Sequence, residues 1–242
     1  VHSDAAMFVG GLRALLFQSL HPRAMAGVAE HSDYRNDPWG RLQRTADFLA
    51  ATTYGPASEA ERAVARVHQV HERVVGTTRD GEIYSANDPH LLRWVHLAEL
   101  DSFLAAHDRF GAQPLIGDDR DLYVADMAVI ARALGVVAPP ESERGLRDQI
   151  RMFRSELRGT REARDAARYL LLEPPLPLGG RAAYALIAGA AVSLMPAWTR
   201  RPLRLPWLPL TEATAGRAAG ETVTRTLRWA MIARRDDATA DD

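Results

Sequence analysis

Residues 58–76, SEAERAVARVHQVHERVVG, decide the class of fold. Ser58-x-x-Glu61 is a capping-box signal, in which a hydroxyl and a carboxylate satisfy backbone N–H groups that open a helix. Val64, Val67, His68, His71 and Val74 or Val75 then recur at three- and four-residue intervals, the period of one helical face. Gly76 ends the run.

The same periodicity continues on both sides. Phe8, Leu12, Leu15, Leu16 and Leu20 predict a first helix over about 4–20 with that set buried. Pro22 suits the start of the next helical turn, with His21 biased away from helical backbone. After a polar loop at 32–38, Asp37 caps a second clear helix and Pro38 enters its first turn. Leu42, Thr45, Phe48 and Leu49 form its expected inner side, and Gly55-Pro56 stops it. Residues 77–87 read as a polar turn around Ile83-Tyr84, with a minor hairpin expected. Asp88-Pro89 opens a helix to about Ala106, and further helices follow at 123–134, 146–157, 161–172, 181–194 and 212–234. Strand-like alternation is scarce and no fixed-period repeat is visible. The expectation is an all-α fold: one large multi-helix domain over 1–242 with roughly nine helices. A proline-rich joint lies at 173–180, and the tail should fray from about 235.

Composition removes whole classes of chemistry. All 30 basic residues are arginine, so lysine Schiff bases and a Walker A loop are excluded. The chain has no cysteine, which excludes thiolate-ligated haem, iron–sulfur clusters, zinc ribbons and cysteine nucleophiles. A formal net charge of −1 gives no electrostatic case for a nucleic-acid partner. No signal peptide is visible, which points to the cytoplasm; the chain begins without Met, so its natural start is left open. The apolar, alanine-rich helix at 181–194 is short of about 20 lipid-spanning residues. It reads as a buried helix or as a membrane-facing element. Trp198, Trp207, Arg200, Arg201 and Arg204 make 194–210 a candidate for peripheral membrane contact.

The remaining chemistry rests on histidine, arginine and hydroxyl groups. His68 and His71 share a helix face and can offer a neutral nitrogen to a metal, or act as hydrogen-bonded interface residues. Arg41 and Thr45 are one turn apart, with Arg44 on the neighbouring row. They can set a cation and a hydroxyl over one cavity, or pin the preceding acidic loop and pack on the core. His96 reads as a structural histidine in a buried seam. His21 and His31 either line a cavity or serve as caps. His107 suits a helix end.

Taken in order, these pieces resemble a family. They are Gln18-Ser-Leu-His21-Pro22, His31-Ser-Asp-Tyr34, and Asp37-Pro-Trp-Gly-Arg41-Leu-Gln-Arg44-Thr45. Val67-His-Gln-Val-His71-Glu-Arg-Val-Val-Gly76, Tyr84-Ser-Ala-Asn-Asp88-Pro and Leu92-Arg-Trp94-Val-His96 continue the pattern. The chain is similar to the MpaB-like and rubber-oxygenase (latex-clearing-protein) catalytic-domain family, over about residues 8–140. The resemblance implies haem b as cofactor, with His71 as the proximal iron ligand and Arg41 and Thr45 on the opposite side of the haem. Arg44 stands where the rubber-cleaving branch carries lysine, and Glu30 is the candidate for that branch's glutamate base. His68 would lie near the same porphyrin or behind His71. The implied activity is that of an oxygenase or peroxygenase, with dioxygen or peroxide as oxidant and an apolar or amphipathic small molecule as substrate. The competing reading is a non-catalytic helical carrier of a lipid-like ligand.

Overall fold

The structure is a computed structural model and describes residues 1–32, 35–206, 214 and 216–240. It is an all-α, single multi-helix domain with one small hairpin. The helices in chain order are α1 (Ala6–Gln18), α2 (Pro22–His31), α3 (Pro38–Tyr54), α4 (Ala57–His71), α5 (Pro89–Phe110) and α6 (Asp119–Ala133). They continue as α7 (Glu143–Phe153), α8 (Arg161–Leu172), α9 (Leu178–Ser193), α10 (Ala197–Leu203) and α11 (Arg217–Ala240). Strands β1 (Val75–Thr77) and β2 (Ile83–Ser85) pair antiparallel, Gly76 opposite Tyr84. A turn closed by Thr78 N–H to Glu82 O joins them, with Gly81 at φ +86°. That backbone favours glycine because it has no Cβ to clash.

Side-chain caps fix several helix starts. Asp37 accepts from Gly40 N at 2.9 Å and Asp88 from His90 N at 2.9 Å. Ser142 and Thr160 do the same for α7 and α8. The expected capping box at Ser58 does not form. Helix α4 starts earlier, at Ala57 behind Pro56, so Ser58 lies inside the first turn and makes no cap bond. Two helices exceed the roughly nine expected, α2 and α10. Pro22 sits at N1 of α2, and α10 occupies part of the proline-rich crossover. The start expected at Glu212 lies outside the described residues, and α11 runs past Arg234 to Ala240.

The core centres on α5, whose most extensive partner is α1. Leu16 and Phe17 of α1, with Leu20 just beyond it, meet Trp94, Leu97, Leu100 and Leu104 of α5. Burying each such side chain is worth about 1.5–3 kcal/mol. The Trp94 indole donates to Gln18 O at 3.0 Å, so the largest core side chain leaves no stranded N–H. The buried face of α1 is rotated from the expected one. Phe8 and Leu15 are among the exposed large apolar residues, while Val9, Arg13 and Phe17 are buried. Arg13 causes the rotation: its guanidinium donates to Asp101 at 2.7 Å, Ser102 Oγ at 2.6 Å and Leu194 O at 3.0 Å.

Arg200 behaves likewise. It is buried, and it donates to Met195 O, Pro206 O and Ser193 O. Trp198 packs on Phe17 with Arg154 over its ring. Arg200 thus faces inward, not outward as an interfacial edge requires, and Trp198 is half-buried. Arg201 and Arg204 are exposed, and Trp207 lies outside the described residues. Among the described residues no single helix is long and apolar enough to cross a membrane. The pair α9 and α10 passes that test only together, bent by 118°.

Two adjacent glycines on α1 test the α1–α5 seam. A Cβ on Gly10 would stand 3.2 Å from Phe103 Cα, whereas one on Gly11 meets nothing within 4 Å. Urea unfolding should show Gly10→Ala destabilised by about 1–3 kcal/mol through overpacking. Gly11→Ala should be neutral or stabilised by about 0.5–1 kcal/mol. Equal effects would mean that the seam is not close-packed.

Candidate functional site

Helices α3 and α4 form a hairpin whose principal packing is on itself. Val64 is its one fully buried side chain among those described. Such an amphipathic pair leaves apolar surface unclaimed by the bundle. His68 and His71 lie in the last turn of α4, half-buried, where the helix dipole meets them. His68 Nε2 is 3.1 Å from Ala133 O, so this ring is tied to the end of α6. His71 is not tied. Its Nδ1 is buried without a hydrogen-bond partner. Burial first, then charge on His68, hold its pKa below the ordinary value. Asn87 acts in the opposite sense, but neither its Oδ1 nor His71 Nδ1 closes a hydrogen bond of normal geometry. Burial and the charge on His68 both favour the unprotonated ring.

Arm α3 carries the other expected residues. Arg41 is half-buried and donates to Ser32 Oγ, clasping the loop before the helix. Arg44 is exposed and pairs with Asp37 of the same loop at 3.2 Å. Thr45 is exposed rather than inward, and its hydroxyl donates back to Arg41 O at 3.0 Å. Glu30 accepts a short hydrogen bond from Tyr84. Burial first, then this carboxylate, push the Tyr84 pKa up to about 12. Asp33 and Tyr34 lie outside the described residues.

Two further clusters have no local spacing that would reveal them in sequence. One joins His21, His90 and Glu156 from three distant elements. The other lies in the α5–α6 seam. His96 is buried with Nε2 unpartnered, and burial drops its pKa to about 4. One turn on, Glu99 keeps a little surface toward solvent, yet burial of its carboxyl pushes its pKa up to about 7. The Tyr123 hydroxyl, 3.0 Å from His2 Nε2, is raised by burial and by Glu99. His96 lies in a buried seam, as its sequence setting led one to expect. His107 is buried at the end of α5, against Gln113 O.

An all-helical bundle with a histidine-bearing hairpin standing at its edge is the class that fold and residues define. The chain belongs to the family described as ER-bound oxygenase mpaB/B′/rubber oxygenase, catalytic domain, which it matches over residues 1–229. No curated protein and no solved structure matches it significantly. Membership supports an oxygenase-type enzymatic role in general terms.

Glu99 gives a pH test of the seam. Its folded pKa is raised from 4.5 to about 7, so the stability it contributes is full below pH 4.5 and is lost as pH rises through 7. The loss is at most about 3 kcal/mol. Glu99→Gln should therefore be more stable than wild type at pH 8 and no more stable at pH 4. An unchanged difference between the two pH values would contradict the shift.

Proposed function

We propose that the chain is a haem b-dependent oxidoreductase of oxygenase type, acting on an apolar or amphipathic small molecule with dioxygen or peroxide as oxidant. The observation that carries this reading is the His71 ring, half-buried with an unpartnered Nδ1 at the end of a loosely attached hairpin. The donor chemistry fits haem. The chain has no thiolate to offer, a neutral imidazole is the form that ligates iron, and burial keeps His71 neutral.

Bound haem would supply the oxygen chemistry, leaving the protein to hold, orient and shield it. In this reading His71 would ligate the iron, and Asn87, which interacts with its ring, would help to set the ring's orientation. His68, tied to Ala133 O, supports the same helix end. Arg41 would hold a carboxylate of the cofactor or an oxygen-derived anion, its fork of donors suiting either. Thr45 has its proton committed to Arg41 O, so it first serves as an acceptor. It becomes a donor only by rotating off that bond. Arg44 lends positive charge without the protonic flexibility of a lysine. The half-buried Phe48 and Leu49 on the same arm suit an apolar ligand. Residues 194–210 could add peripheral membrane contact, resting on Arg201 and Arg204 among the described cations.

Purified or haem-reconstituted protein should show a Soret band, and His71→Ala should abolish it. Arg41→Ala and Thr45→Val should retain haem while turnover falls roughly 10²-fold or more, as for loss of one positioned donor. A full Soret band in His71→Ala would refute the ligand assignment. Recovery of an apolar ligand without iron would favour the carrier reading instead.

A further inference from the structure

We propose that His21, His90 and Glu156 form a binding site for a divalent first-row transition-metal ion, zinc or ferrous iron, distinct from the residues assigned to haem. His21 sits at the corner between α1 and α2, His90 in the first turn of α5, and Glu156 just after α7. Each offers one ligand atom, and the three atoms lie within 4.8 Å of one another. His21 Nε2 is 3.4 Å and His90 Nε2 2.7 Å from the same Glu156 oxygen. Metal–ligand bonds of about 2.0–2.2 Å set tetrahedral ligand atoms about 3.4 Å apart, so one edge has its final length. The second needs only a small opening between two side chains that are each 39% exposed, and the third, between the two imidazoles, is within 4.8 Å.

His21 itself points to a missing partner. It is 2% exposed, and neither ring nitrogen has a hydrogen bond. Burying a polar atom without a partner is unfavourable; Nδ1 of this ring has none, and Nε2 has only the Glu156 oxygen at 3.4 Å, outside hydrogen-bond geometry. An ion between His21 and Glu156 removes that cost at one of the nitrogens. The surroundings hold the ligands in place. The His90 ring stacks on Phe153 at 4.5 Å, and Arg158 N–H donates to Leu20 O at 2.8 Å, tying the Glu156 segment to the α1–α2 corner.

Local charge also permits a cation. Arg23 pairs with Asp88 at 3.2 Å, and Arg158 with Glu82 at 3.5 Å. The two arginines are thereby offset by two carboxylates, and Glu156 is left as the charge for the ion. His21 and Glu156 line a cleft of about 620 Å³. Two imidazoles and one carboxylate beside an open cleft are the donor set of zinc and non-haem ferrous sites, whose remaining positions take water or an exogenous ligand.

The test uses the full chain as purified, stripped with a chelator and dialysed against Zn²⁺, with bound metal measured directly and thermal unfolding followed in parallel. Wild type should bind one equivalent and unfold at higher temperature. Glu156→Gln and His90→Gln alter half-exposed side chains and should keep the helical circular dichroism. Each should bind Zn²⁺ at least about tenfold more weakly, since even outer-shell partners are worth about 10–100-fold. His71→Ala should bind as wild type does. Absence of stoichiometric binding by wild type overturns the proposal. So does unchanged binding in both site variants, or loss of binding confined to His71→Ala.

Discussion

The structure is organised around a charge buried in its first helical seam. Arg13 is nearly inaccessible, yet its guanidinium is shared among Asp101 and Ser102 of α5 and the carbonyl of Leu194 beyond α9. Ser102 passes the interaction on to Ala98 O. A buried ion pair adds little net stability over apolar packing, but it tolerates very few arrangements. With the pair satisfied, α1 has only one rotation about its axis, and Leu16, Phe17 and Leu20 are then delivered to Trp94 and its neighbours. The chain end of α9 is fixed by the same group, so three segments far apart in sequence share one constraint.

That constraint explains what the sequence could and could not say about the fold. Helix starts with a local cause were legible: Asp37, Asp88 and Pro22 act where their chemistry predicts. The face of α1 was not, because Leu15 and Phe8 look like core until Arg13 finds its acid 88 positions away. Arg200 misleads in the same way, reading as surface and ending inside a cage of carbonyls. The capping box at Ser58 failed to a rival local signal, since Pro56 already takes the N-cap position two residues earlier.

For the candidate site the division is similar. His68 and His71 were visible because one helical turn separates them, and the structure keeps both at one end of α4. Arg41, Arg44 and Thr45 were visible as a set by spacing, but their partners differ from residue to residue: Arg41 meets Ser32, Arg44 meets Asp37, and Thr45 turns back to Arg41 O. His21, His90 and Glu156 carry no mutual spacing at all. Their meeting depends on the α1–α2 corner and the end of α7 closing on the first turn of α5, a tertiary event that no window of sequence contains.

The hairpin of α3 and α4 has a further consequence. It packs mainly on itself, and the central core of α1, α5, α7 and α8 draws no buried residue from it. A broad, flat guest admitted at the hairpin would leave the Arg13 seam undisturbed. Were such a guest to enter there, its arrival would call for rearrangement of two helices and not of the scaffold that carries them.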